Sequence, residues 1–248
     1  MDNQTNTIKT QSIYFLLAVT SLGYFVDAGD LVVASLVRSS SIKALGLATD
    51  DATVKQIGLS FESWQSWGIL LGGIVWGIFG DKIGRLKVLY GSIAFYSVAT
   101  LLNGYLTPAW GNTYFYYSSF RFLSGFGLAG ELGIGITFVS EMMEKEKRGI
   151  GTMIIAAFGI LGCVVAAGLA AFAKLPWDTL FKVGGFAGLV LLFIRIGVHE
   201  SSIFIAQKKS TVQRGSFLSL FSSGDRFKRF MISGRVRIQT FIFLILAS

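Results

Sequence analysis

The chain has 248 residues, of which 52% are hydrophobic and only 15% charged, with a net charge of +8 and a mean hydropathy of +0.62. A soluble domain has about 25% charged residues, so this composition argues against a soluble protein and favours one that lies in lipid. One cysteine, Cys163, and one histidine, His199, leave no pair for a disulfide, no thiolate metal cluster and no Ser-His-Asp set. We therefore expect no enzyme, no cofactor and no metal site.

Six apolar segments are long enough to cross a bilayer, because a helix rises about 1.5 Å per residue and a hydrocarbon core of about 30 Å needs about 20 residues. Backbone groups in lipid must be satisfied within the segment, so we predict an all-α fold, a polytopic membrane protein. The six segments are residues 13–36, 57–80, 86–106, 113–140, 150–173 and 179–198.

The remaining residues divide into three regions. Residues 1–12 are predicted to be a polar cytoplasmic tail before the bundle at 13–199. Residues 200–229 are polar and basic and are predicted to form a cytoplasmic linker, and 230–248 begin a seventh helix that is truncated. Lysine and arginine cluster in alternate loops, which indicates membrane topology rather than a nucleic-acid surface. The positive-inside rule places the N-terminus in the cytoplasm, in a multi-pass protein of the inner membrane.

The strongest local motif is GIFGDKIGRLK at residues 77–87, where the second helix ends and the third begins. Its glycines, among them Gly77 and Gly84, permit a tight turn, and Asp81 can form a charge lock with Arg85 at the membrane surface. With Lys82 at the basic position, the spacing resembles the G-x-x-x-D-[RK]-x-G-[RK]-[RK] loop of the major facilitator superfamily.

The fourth helix contains RFLSGFGLAGE, residues 121–131, in which the glycines form a face against which another helix can lie. Arg121 and Glu131 are charges within a span, where their cost makes a functional role the default hypothesis. The pattern resembles R-x-x-x-G-x-G-x-x-G-E of the metabolite:proton symporter and sugar-transporter-like branches of this superfamily.

The first helix contains YFVDAGD, in which Asp27 and Asp30 are three residues apart and share one helix face. This is similar to the F-x-D-x-x-D motif of phosphate and organic-acid proton symporters. The end of the sixth helix, with Arg195 and Glu200, is similar to the family pattern R-x-x-x-x-E-S-P-x-F.

A cytoplasmic charge cluster also resembles the family, through the sequences VSE and KRG that contain Glu141 and Arg148. The resemblance implies that this cluster, with the 77–87 loop, locks the outward-facing state. The residues assigned to this gate are Gly77, Asp81, Lys82, Gly84, Arg85, Glu141, Arg148, Arg195 and Glu200.

The depth of two charges follows from helix geometry alone. Counted from the centres of their helices, Asp30 and Arg121 each lie about 7 Å outside the midplane. We predict that they pair, and that protonation of Asp30 releases Arg121 as a charge switch, with Asp27 the next candidate. The alternative is a static ion pair that only holds two helices together.

Four further residues are candidates for contact with a solute. Glu131 lies about 15 Å along its helix from Arg121 and either contacts solute or proton or makes a buried hydrogen bond to a neighbouring helix. Trp64 and Trp67 either line a cavity or face lipid, and Tyr24 is assigned to the same cavity.

The resemblance implies the N-terminal six-helix half of a secondary transporter that moves a small polar or anionic metabolite with protons by alternating access. Its partners would be that solute, protons and the lipid bilayer, with no nucleic acid, and the C-terminal half is missing. Two alternatives stay open: a truncated fragment that cannot transport, and a half-transporter that dimerises.

Overall fold

The computed structural model describes residues 2–143, 145–172 and 175–195, and these residues form helices and connections without a strand. The all-α fold is therefore confirmed. Each of the six predicted spans overlaps a long helix in its described residues, whereas the linker and the seventh helix lie outside the described residues. The helices are α1 Asp2–Leu36, α2 Arg38–Ala44, α3 Asp51–Ile83, α4 Arg85–Gly104, α5 Thr113–Met142, α6 Arg148–Phe172 and α7 Trp177–Arg195, with a short 3-10 helix at Pro108–Trp110.

The helix α1 begins earlier than the predicted span, at Asp2 rather than at residue 13. Hydropathy marks where a helix meets hydrocarbon, whereas the helical backbone can continue beyond the apolar part. The boundary between a tail and the bundle therefore stays a prediction.

Three helical stretches of the described chain are long and apolar enough to cross a membrane by length and composition, namely Leu17–Leu36, Arg148–Phe172 and Trp177–Ile194. The helices α3, α4 and α5 have 33, 20 and 30 residues, so they match a bilayer in length but carry more polar side chains. In α4 these side chains are turned inward: Ser92, Ser97, Thr100 and Asn103 have no exposed surface. The lower hydropathy of α4 therefore reflects polar groups that face the interior of the bundle.

The order of helix contacts shows an internal repeat. When only the long helices of the described chain are counted, α1 is the first and packs on the fifth, which is α6. In the same way α5 is the fourth and packs on the second, which is α3. α4 lies against both α5 and α7, where the two sets of three helices meet. This is the arrangement expected of two inverted three-helix repeats within one bundle.

The connection between α1 and α3 is held by pairs of charged side chains. Arg38 forms an ion pair with Glu62, and Lys43 pairs with Asp51 at 2.8 Å. Asp50 caps α3 by accepting a hydrogen bond from the backbone N–H of Thr53 at 2.8 Å, and that bond holds the pKa of Asp50 below its usual range. Because the pKa is lowered on folding, this cap stabilises the fold above the usual aspartate range and is lost in acid.

Glycines allow α5 to touch its neighbours backbone to backbone. A Cβ added to Gly72 of α3 would lie 2.9 Å from Cα of Phe126, and one added to Gly127 would lie 2.8 Å from the carbonyl oxygen of Ser92 on α4. Gly125 likewise faces the backbone of Gln65. The prediction that the glycine spacing of the fourth helix forms a packing face is thus confirmed, with α3 on one side of it and α4 on the other.

Gly72→Ala is expected to lower the free energy of unfolding by about 1–3 kcal/mol, because the added methyl meets backbone that cannot rotate away. Gly73→Ala is the matched control, since nothing lies within 4 Å of a Cβ at Gly73 and alanine favours a helix. Thermal unfolding of both variants in detergent, followed by tryptophan fluorescence, measures the difference. Equal midpoints would contradict close contact between α3 and α5.

Candidate functional site: a buried charge cluster

Four charged side chains of the described residues are buried within the bundle. Asp27 and Asp30 on α1 are 1% and 4% exposed, and Arg121 and Glu131 on α5 are 2% and 5% exposed. These are the residues that the sequence singled out as charges within spans. Three acids therefore share the interior with one arginine, so the cluster is formally negative when every acid is ionised.

Arg121 is held by groups from two other helices. When the Asn103 amide is oriented with its oxygen towards Arg121, that oxygen accepts hydrogen bonds from Nε at 2.6 Å and from Nη2 at 3.1 Å. The guanidinium carbon also lies 4.6 Å from the centre of the Phe181 ring, a cation–π contact with α7. Nη1 has no hydrogen-bond partner among the described residues. One face of the guanidinium can thus receive a further group.

The Asp30 carboxylate lies against a small-residue wall of α7. A Cβ added to Gly184 would be 3.0 Å from Oδ1 of Asp30 and 3.9 Å from the Thr100 methyl. In the described part of the chain neither oxygen of Asp30 has a hydrogen-bond partner, although Asp30 and Arg121 interact electrostatically. The two residues share the interior, but the direct pair that we predicted is not formed, because two donors of Arg121 are directed at Asn103.

The candidate solute residues fall in different places. Glu131 lies within the buried cluster, and Tyr24 is partly buried with its ring against Gly159 of α6. Trp64 and Trp67 are 45% and 57% exposed on α3. Trp67 borders an open groove that is also lined by Leu59, Glu62, Ser63, Ser66 and Leu70. The two tryptophans therefore lie on an exposed surface of this chain, apart from the buried charges.

The loop between α3 and α4 has the geometry that its sequence indicates. Asp81 and Arg85 form an ion pair of 3.0 Å across one helical turn. Gly84 has a φ of +110°, a conformation open to glycine and strained for other residues, and it lets α4 begin directly after α3. Lys82 is exposed, and a Cβ at Gly77 would meet nothing within 4 Å.

The rest of the predicted gate is described only in part. Arg148 donates from Nε to the carbonyl oxygen of Met143 at 3.1 Å, at the start of α6. The side chains of Glu141 and Arg195, and Glu200 as a whole, lie outside the described residues. The role of these residues in a gate stays a prediction.

Sequence reasoning missed three parts of the cluster. Asn103 holds Arg121, the Tyr96 side chain is fully buried beside the acids, and the glycines of α7 form a wall. Asn103 carried a usable signal, since an amide in an apolar span must find a partner. Tyr96 carried none, because tyrosine is common at many depths of a spanning helix.

Known proteins resemble this chain in sequence. The family model of the Major Facilitator Superfamily matches residues 13–248. The niacin transporter NiaP of Acinetobacter baylyi is 28% identical over 199 residues, 79% of this chain and 42% of that protein. The 3-(3-hydroxy-phenyl)propionate transporter of Escherichia coli is 30% identical over 213 residues, 85% of this chain and 50% of that protein.

A solved structure shows the same fold. XylE of E. coli, described as a proton:xylose symporter, aligns with a TM-score of 0.73 at 15% identity, over 81% of this chain and 48% of XylE. The chain spans about half the length of the curated relatives it matches. Because the family model covers all but the first 12 of its 248 residues, this multi-pass membrane protein belongs to the Major Facilitator Superfamily.

Proposed function

We propose that the chain forms the proton-handling bundle of a secondary active transporter for a small polar or anionic metabolite. The observation that supports this most directly is the buried cluster of Asp27, Asp30, Glu131 and Arg121. An ionised carboxylate in a low-dielectric interior is costly unless it is compensated. Among the described residues this cluster holds three acids and one arginine, so its composition allows it to bind and release protons.

The position of Asp30 supports the coupling role. Its oxygens have no hydrogen-bond partner among the described residues, so no hydrogen bond fixes this carboxylate in the state described. Arg121 interacts with it electrostatically while its own donors are directed at Asn103. In the proposed cycle Asp30 carries the proton while Arg121 is held by Asn103, and Asp30 competes for Arg121 once the proton leaves.

Relatives support the class of solute. The named relatives transport niacin and 3-(3-hydroxy-phenyl)propionate, and XylE is named for xylose and protons, so each solute is a small polar or anionic molecule. Nη1 of Arg121 has no hydrogen-bond partner among the described residues and suits an anionic group. The anionic class is the more specific part of the proposal.

Alternating access takes place between two halves around a central site, so the proposed transporter includes a second bundle opposite this one. The surface of α3 with Trp64 and Trp67 is exposed in this chain and suits a cavity wall between two such bundles. Either a further six-helix segment or a second copy of the chain supplies the opposite half. By the positive-inside rule the proposed protein lies in the inner membrane with its N-terminus in the cytoplasm.

Reconstitution tests the function. The 248-residue chain is placed in liposomes, an inward proton gradient is imposed, and uptake of labelled niacin, 3-(3-hydroxy-phenyl)propionate and xylose is measured with and without a protonophore. Accumulation that the protonophore abolishes is the expected result, and in this preparation it also requires copies of the chain to assemble. If uptake is absent from the chain alone, the same assay is repeated with a relative's C-terminal half co-expressed. Failure of both preparations to bind or accumulate any of these solutes, with folding intact, contradicts the proposal.

A further inference from the structure

Tyr96 is buried and interacts with all four members of the charge cluster. Its side chain on α4 has no exposed surface, and its hydroxyl has no hydrogen-bond partner among the described residues. The phenol interacts electrostatically with Asp27, Asp30 and Glu131, and with Arg121. Buried tyrosine hydroxyls normally find a partner. This unpartnered hydroxyl is therefore a hydrogen-bond donor that the acids it interacts with can use.

The ring of Tyr96 is fixed although its hydroxyl is not. A Cβ added to Gly188 of α7 would lie 3.2 Å from Cε1 of Tyr96, and one added to Gly127 of α5 would lie 2.7 Å from Cβ of Tyr96. One turn before Gly188, Gly184 packs against Asp30. The two α7 glycines thus form one wall against which the phenol ring and the Asp30 carboxylate both pack.

We propose that Tyr96 is a positioning residue whose hydroxyl donates a hydrogen bond to whichever acid of the cluster is ionised, linking Asp27 and Asp30 on α1 to Glu131 on α5. The inference rests on the proposed function, because it explains how protons on the two helices influence one another. The neutral phenol has one proton to donate, so it can stabilise only one ionised acid at a time. The acid that accepts this hydrogen bond loses its proton more easily, and the other acids then lose theirs less easily.

The titratable and charged groups that interact with the Tyr96 phenol determine how proton binding should change when its hydroxyl is removed. α1 contributes Asp27 and Asp30, and α5 contributes Arg121 and Glu131. The described α7 residues against the ring and Asp30 are Gly188 and Gly184, which do not titrate. Loss of the hydroxyl removes a stabilising contact from the ionised acids only, so protons should be held to higher pH.

Tyr96→Phe tests this with little change in packing. In lipid-reconstituted protein, the carboxyl C=O infrared band is titrated with pH, and its Asp30 component is identified by difference against Asp30→Asn. We expect Tyr96→Phe to move the midpoint of that band upward by about one to two pH units, the size of a hydrogen bond to a charged group. The pH profile of solute uptake should move in the same direction.

Tyr117→Phe is the matched control. Tyr117 is also buried and also interacts electrostatically with Asp30 and Arg121, but its hydroxyl is hydrogen-bonded to Ser41 at 3.1 Å. Because that hydroxyl already has a partner, we expect no shift of the midpoint. An unchanged midpoint in folded Tyr96→Phe, or an equal shift in Tyr117→Phe, overturns the proposal. If the wild-type chain neither binds nor accumulates solute, alone or with a relative's C-terminal half, and the infrared midpoint still shifts in Tyr96→Phe alone, the proposed function fails while the role of Tyr96 stands.

Discussion

Asp30→Asn is expected to abolish proton-driven accumulation of solute. Asparagine has nearly the same shape as aspartate but binds no proton, so a proton gradient no longer contributes energy to uptake through this residue. A gradient of about one pH unit supports about tenfold accumulation when one proton moves with each solute, and the variant should fall to about onefold. Uptake into liposomes at fixed external pH measures the ratio, and exchange of labelled solute without a gradient shows whether binding persists.

The same variant separates a coupling role from a structural one. Asp30 is buried and neither of its oxygens has a hydrogen-bond partner among the described residues, so removal of its charge should leave thermal stability unchanged or raise it. Glu62→Gln is the control, because that acid is half exposed and pairs with Arg38 near the end of α1. We expect it to keep concentrative uptake. Survival of accumulation with its pH dependence in Asp30→Asn would contradict the coupling role.

The sequence located the cluster because depth along a helix is simple to count. A constant rise per residue put Asp30 and Arg121 at one level, and the cost of charges in lipid directed both inward. The structure buries both residues and gives them an electrostatic interaction. The six segments predicted from apolar length likewise overlap the long helices α1 and α3 to α7 of the described chain, although α3, α4 and α5 carry more polar side chains.

The rotation of each helix about its own axis could not be predicted by counting residues. Whether Arg121 bonds to Asp30 or to Asn103 depends on which way α4 and α7 turn, and the glycine contacts that fix this rotation involve helices far apart in sequence. The spacing of Gly125 and Gly127 showed that α5 is closely packed, but it did not identify Gln65 or Tyr96 as the neighbours. Which side chains of different helices contact each other is decided only when the bundle is assembled. The sequence therefore could not predict the glycine wall of α7 or the contacts of Tyr96.

Arg121→Ala is expected to cause the largest loss of stability, about 3–5 kcal/mol, because it leaves buried acids without their cation. It also removes the two hydrogen bonds to Asn103 and the contact with Phe181. Arg38→Ala is the control at an exposed ion pair, where a loss of up to about 1 kcal/mol is expected. Unfolding in mixed detergent measures both variants.

The double variant Arg121→Ala with Asp30→Asn decides whether the two residues act on each other without a direct bond. If the acid is destabilised mainly by the absence of the arginine, neutralising Asp30 should recover about 1–3 kcal/mol of the stability lost in Arg121→Ala, a coupling typical of interacting neighbours. Additive effects would instead mean that Arg121 stabilises the bundle through Asn103 and Phe181 alone. In that case release of Arg121 could not follow protonation of Asp30, and the charge switch would have no physical basis. The expected outcome is an interaction energy between the two substitutions, together with loss of solute accumulation in Asp30→Asn. That result would mean that a proton bound to Asp30 on α1 changes the free energy of Arg121 on α5, as proton-driven transport requires.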